Sequence, residues 1–228
     1  MTEQFQLSLY DHLLQFQLFQ GMSRSELLQM AGYTRFGFQK VAAGEWLVRD
    51  GDACQQLFFL VRGSLSLATS AADHAYTVVE QLQAPWLLQP EALFGLTPHY
   101  TCSVRTTADC QFITLKKDEV VRLLDDFLIF RVNMLNLLAT ASQRLWHRRW
   151  RPAPLSLQER VIRFFTDHVV YPAGPKEVHI LMTQLARQVS DTRLNVSRVL
   201  NALQERELVR LQRAVIVIPS LEQLLMKA

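Results

Sequence analysis

The chain has 228 residues, 49% of them hydrophobic and 20% charged, with a formal net charge of +3. This composition excludes a disordered chain and leaves room for one large domain or two modest ones. The charge is uneven: residues 1–143 carry 10 Lys/Arg against 14 Asp/Glu, and residues 144–228 carry 14 against 7, so the last third is suited to a polyanionic partner. Cys54, Cys102 and Cys110 form no CxxC pair, which reads as buried thiols in a reducing compartment and offers no metal site. The first residues show no basic start followed by an apolar run, and no apolar stretch approaches the roughly 18 residues of a membrane span. A cytoplasmic protein without a membrane partner is expected.

Taken in chain order, residues 5–32 read as helical, with Ser23 as N-cap, Glu26 as its capping-box partner and Gly32 as the stop. The texture then changes. Gly44, Gly51 and Gly63 cut the next segment into short runs such as "LFFLV" and "SLSLAT", and "YTVVEQL" and "YTCSVRTTADCQFITL" continue the pattern. Many short strands at turn spacing predict a β-sandwich or barrel. From Lys116 the pattern is helical again: "KKDEVVRLL" is one short helix, and "DFLIFRVNMLNLLATASQRLWHRRW" is a long one of about 25 residues. Leu128, Leu135, Leu138 and Leu145 fall on a heptad-like line, a seam for a partner chain or for the chain's own β domain. "RPAP" ends that helix at a hinge, and Ser156 with Glu159 starts the next, which closes at the turn "YPAGP".

Residues 183–189 predict a short helix with Leu185, Ala186 and Val189 inward. "SDT" is a tight connection, and Thr192 caps the helix that follows. Two helices joined by three residues make a helix-turn-helix, and "ELVRLQRAVIVIPS" alternates as a two-stranded wing. On the second helix Val196, Val199, Leu200 and Leu203 form the inner stripe, which leaves Arg193, Leu194, Ser197 and Arg198 for base edges in a major groove. An arginine grips guanine O6 and N7 with both prongs, and Leu194 can touch a thymine methyl. Thr183, Gln184, Arg187, Thr192, Asn201, Arg210, Gln212 and Arg213 are placed for phosphates, which give affinity and salt dependence. A helix-turn-helix that docks protein is the alternative.

These residues resemble the CRP/FNR superfamily of bacterial transcription regulators, and the resemblance covers nearly the whole chain. It is strongest at "LARQVSDTRLNVSRVLNALQERELV", and "VAAGEWLVRDGDACQQLFFLVRGSLSL" is similar to the family's glycine-punctuated roll. The resemblance implies an α+β fold: an N-terminal β-roll sensor of the double-stranded β-helix type (residues 1–124), a long dimerisation helix with its hinge (125–151), and a C-terminal winged helix-turn-helix (152–228). It implies a homodimer on a pseudo-palindromic DNA operator, with RNA polymerase as a candidate further partner.

Two departures stand out. Family members that read a TGTGA-type half-site usually carry Arg-Glu where this chain has Arg193-Leu194, so one base position is expected to be read differently. Ser190 also stands at the usual turn glycine. In the roll, cyclic-AMP-binding members carry Gly-Glu and, about ten residues on, Arg-Ser or Arg-Thr. Here Pro90 precedes Glu91, and Tyr100-Thr101 holds the Arg-Ser position, so the phosphate cation is missing. Glu91, Tyr100, Thr101 and Cys102 mark the effector pocket that the resemblance implies, with cyclic AMP disfavoured and no cofactor assigned. An effector-independent roll remains the alternative. No cysteine precedes Cys54, against an N-terminal iron–sulfur cluster, and there is no nucleophile elbow, P-loop or HExxH, against an enzyme.

Overall fold

A computed structural model describes residues 9–227. They divide into two compact units: residues 9–65, 82–101 and 105–149 form the first, and residues 66–81, 102–104 and 150–227 the second. The strands are β1 (Gly37–Val41), β2 (Trp46–Val48), β3 (Gln56–Arg62), β4 (Ser64–Ser70), β5 (Tyr76–Gln83), β6 (Trp86–Leu88), β7 (Ser103–Thr106), β8 (Cys110–Lys116), β9 (Lys176–Ile180), β10 (Arg210–Gln212) and β11 (Val215–Ile218). The long helices are α1 (Arg24–Tyr33), α2 (Lys117–Asp126), α3 (Leu128–Arg149), α4 (Leu157–Asp167), α5 (Met182–Gln188), α6 (Arg193–Glu205) and α7 (Leu221–Lys227). The expected architecture of a β-domain, long helix and C-terminal helix-turn-helix is therefore present.

Ahead of the Ser23 cap, the segment expected to be helical is helical only in part. Residues 5–8 lie outside the described residues; 9–13 are helical, and a 3₁₀ turn follows at Gln17–Phe19. An α-helix puts positions 16 and 18 on opposite sides, yet Phe16, Leu18 and Phe19 are all buried. Breaking the helix turns these side chains to one core: Phe16 meets Phe59 edge-on at 5.0 Å, and Phe19 lies 5.6 Å from Phe59 and 5.4 Å from Phe130. Ser23 and Glu26 then form the expected reciprocal capping box on α1. Gly32 does not stop that helix. Tyr33 continues it, and Thr34 ends it by turning extended.

In the first unit an antiparallel sheet runs β1-β8-β3-β6. Its inner residues Leu57 to Leu60 are buried without a break, as befits a strand covered on both faces. Gly63 follows at φ +105°, and a Cβ there would lie 2.6 Å from the Cys110 sulfur and 2.7 Å from the Asp109 carbonyl oxygen. Both the backbone angle and the close approach require glycine. The expected long helix is α3, 22 residues, separated from α2 by Phe127 in extended conformation. Its first half has two faces: Phe130 and Met134 are buried, and Asn133 donates to the carbonyls of Leu18 (3.1 Å) and Gln20 (2.8 Å).

In the second unit the strands β10-β11-β9-β5-β4-β7 neighbour one another in that order. The helices α4 to α7 pack around a core that includes Phe165, Leu185, Val196, Leu200, Leu203, Ile216 and Leu221. The sheet's β9, "KEVHI", was not foreseen, and neither was its pairing with β5, which places Val78 in this core.

Candidate nucleic-acid interface

The α5–turn–α6 unit is built by local rules. Gln184 accepts from the Leu181 N–H at 3.1 Å to start α5. The helix ends in a 6→1 bond from the Asp191 N–H to the Ala186 carbonyl (2.9 Å), with Ser190 at φ +52°. That is a Schellman end with a non-glycine in the left-handed position. Thr192 then caps α6 by accepting from the Asn195 N–H at 3.2 Å, as its position predicts.

Asp191 ties the turn together. Its carboxylate accepts from the Asn195 amide (2.8 Å), the Thr192 N–H (2.8 Å) and the Arg160 guanidinium of α4 (2.5 Å). These bonds hold its pKa below the ordinary carboxylate range, the Asn195 side-chain bond contributing most and the Thr192 N–H next. Asp191, Asn195 and Arg160 escaped the sequence reading. The four-residue spacing of Asp191 and Asn195 was a local signal for that pair, whereas Arg160 lies 31 residues from Asp191 and had none.

This scaffold leaves the outer side of α6 open. Val196, Leu200 and Leu203 are buried, whereas Arg193, Leu194, Arg198 and Asn201 are exposed and Ser197 is half-buried. Leu194 keeps 61% of its surface in solvent. Thr183, Arg187, Thr192, Arg210, Gln212 and Arg213 are exposed as well, while Gln184 is half-buried and engaged as a cap. Among the described residues, Arg187, Arg193, Arg198, Arg210 and Arg213 enter no ion pair. The wing turns over two residues, Arg213 and Ala214, between Gln212 and Val215.

The residues assigned to an effector are arranged differently. Gln89 holds Thr101 twice: its amide nitrogen donates to the Thr101 hydroxyl at 2.7 Å, and its carbonyl accepts the Thr101 N–H at 3.1 Å. Tyr100 is buried and donates to the Gln56 carbonyl at 3.1 Å. Glu91 is exposed on the 3₁₀ turn Pro90–Leu93. Cys102 is buried and belongs to the second unit. Cys54, absent from the predicted set, lies beside Tyr100, with Glu91 and Lys117 near enough to act on its charge, and burial pushes its thiol pKa up. Arg105 donates to the Gly44 carbonyl at 2.6 Å and, with Arg49, flanks the Trp46 ring. Residues 89–101 offer a phosphate the Glu91 carboxylate and no Lys or Arg of their own; the cation beside the stretch is Lys117, over the Phe94 ring at 5.1 Å. Among the described residues there is no cluster of three His, Cys, Asp or Glu for a metal ion, and no helix is long and apolar enough to cross a membrane.

Comparison with known families agrees with this layout. Residues 38–127 match the model of the cyclic nucleotide-binding domain, and residues 159–226 match that of the Crp-like helix-turn-helix domain. The chain belongs to the CRP/FNR superfamily of transcription regulators. In fold, this CRP/FNR chain is similar to the catabolite activator protein of Thermus thermophilus, at 19% identity and TM-score 0.51, over 92% of this chain and 96% of that one. It is also similar to the sensor domain of the transcriptional regulator DNR from Pseudomonas aeruginosa, at 20% identity and TM-score 0.53, over 67% of this chain and 99% of that one. A crp/fnr-family structure from Eubacterium rectale aligns at 16% identity and TM-score 0.52, over 92% and 97%. No curated protein matches the chain.

Proposed function

We propose that this CRP/FNR chain is a sequence-specific, DNA-binding transcription regulator that acts as a cytoplasmic homodimer on a pseudo-palindromic operator. The observation that carries the reading is the outer side of α6: two exposed arginines without ion pairs, Arg193 and Arg198, beside an exposed Leu194. Arg193, Leu194, Ser197 and Arg198 read base edges, and Arg187, Arg210 and Arg213 hold phosphates. The loss of a glutamate acceptor at Leu194 shifts one base preference away from cytosine and toward an apolar contact with thymine.

The dimer rests on the outer face of α3, where Leu128, Leu135 and Leu145 are 66%, 59% and 62% exposed and Leu138 is half-buried. A second helix on that stripe would remove the cost of wetting it. Two recognition helices then lie about one helical turn of DNA apart, ~34 Å.

The roll's polar atoms favour an effector other than a cyclic nucleotide, or none, because Tyr100 and Thr101 already have partners within the chain. Titrating the protein against operator-like duplexes across a salt series tests the DNA reading, with affinity expected to fall steeply as salt rises. Cyclic AMP and cyclic GMP, added at millimolar levels, are expected to leave both the DNA affinity and the melting temperature unchanged. A rise in melting temperature with either nucleotide would contradict the effector part alone.

A further inference from the structure

The hairpin of β4 and β5 lies between two segments of the first unit in sequence, yet it packs with the second unit. β5 pairs antiparallel with β9 over five residues, with Tyr76 opposite Ile180, Val78 opposite Val178 and Glu80 opposite Lys176. These three pairs alternate along the strand and therefore share one face. Tyr76 stands edge-on to Phe164 at 5.1 Å and to His168 at 5.0 Å. Val78 enters the core that holds Val196 and Leu200 of α6.

The third pair is ionic and dry. Lys176 and Glu80 expose 0% and 1% of their side chains, with Nζ 3.2 Å from the Glu80 carboxylate. The remaining valences are filled. Glu80 accepts from the N–H groups of Val170 (2.7 Å) and Tyr171 (3.0 Å), which follow α4. Lys176 donates to the Ala173 carbonyl at 2.8 Å and lies over the Tyr171 ring. A buried charge left without its partner is strongly destabilising, whereas removing both charges together is close to neutral. The pair therefore works as a fitted part: with Glu80 in place the hairpin is seated, and without it an ammonium ion is stranded in the sheet. On its other edge β9 pairs with β11, with Lys176 opposite Ile218 and Val178 opposite Ile216. Two strands, β9 and β11, thus separate the hairpin from the wing strand β10, and the hairpin shares a core with the recognition helix.

We propose that Glu80 is a positioning residue for DNA binding: by pairing with Lys176 it seats the β4–β5 hairpin on β9, and the seated hairpin fixes how the wing and α6 are presented to the duplex. The proposal rests on the DNA-binding reading above.

The test uses the full-length protein and a duplex that the wild type binds. Glu80→Gln is expected to lower amide exchange protection along β9 and β11 and to weaken the duplex about tenfold. The double variant Glu80→Gln/Lys176→Met is expected to recover most of both losses. Where Glu80→Gln is too unstable to titrate, adding Val79→Cys and Glu177→Cys, which lie opposite each other across β5 and β9, locks the hairpin, and oxidation is expected to restore duplex binding. Protection lost on β9 with duplex affinity unchanged would overturn the proposal and leave the DNA reading intact. Unchanged protection would also overturn it. A wild-type protein that binds no duplex would remove the DNA reading itself, and this proposal with it.

Discussion

On α6, Arg193 and Arg198 face solvent without ion pairs and Leu194 covers nothing; in the roll, Thr101 and Tyr100 give their polar atoms to Gln89 and Gln56. Both regions are where the family resemblance assigns a ligand, and they are built on opposite terms. Exposed guanidinium groups lose little on meeting a phosphate or a guanine edge, because no internal bond is broken. At residues 89–101 both bonds to Thr101 come from Gln89, and the stretch itself carries no Lys or Arg. The arginines of α6 carry no internal ion pairs, while the polar atoms of Tyr100 and Thr101 are bonded within the chain.

The contrast breaks most sharply at the arginines. Arg193→Ala with Arg198→Ala is expected to weaken a selected duplex by about a hundredfold or more, at about 1–3 kcal/mol for each bidentate contact, with the melting temperature held. A smaller loss, or one shared equally by random duplexes, would assign them to phosphates. Next comes Leu135→Asp, placed on the exposed stripe of α3. It is expected to raise the dimer dissociation constant at least tenfold in sedimentation, at about 1.5–3 kcal/mol per lost apolar side chain, and to lower duplex affinity in step.

A smaller effect is expected from Ser190→Gly, which relieves a left-handed non-glycine residue. The gain is up to about 1 kcal/mol in denaturant titration, since the strain of about 1–2 kcal/mol is offset in part by glycine's entropy. The smallest effect near neutrality belongs to Asp191. Its pKa is depressed in the fold, so its contribution is fully present above the unfolded value of about 3.9 and is lost as pH falls through the lower folded value. Exchange protection at the start of α6 is expected to be flat from pH 7 to pH 5 and to drop below about pH 4. Asp191→Asn is expected to remove that drop.

Much of this architecture was legible because it is local. Ser23 with Glu26, Ser156 and Thr192 each accept the N–H bond that their spacing forecast. The inward stripe of Val196, Leu200 and Leu203 follows helical period alone. What stayed hidden was non-local. Lys176 reads as a surface residue by type, and only Glu80, 96 positions earlier, makes its burial tolerable. The strand β9 is five residues long and begins with two charges, so its pattern gave no signal. The N-terminal segment carried helical periodicity, but Phe59 and Phe130, which bend it, are far along the chain. Glycine shows the same division. Ser190 at φ +52° sits where an L residue is tolerated, while Gly63 at φ +105° is also pinned by Cys110 and Asp109.

The most direct measurement is selection of bound sequences from a random duplex pool, run in parallel with the wild type and with Arg193→Ala/Arg198→Ala. The wild type is expected to enrich a two-fold symmetric motif whose half-sites are about 10 base pairs apart and contain guanines, and the double variant to enrich none. The same motif recovered with both proteins, or no motif with the wild type, would contradict the assignment of base reading to α6.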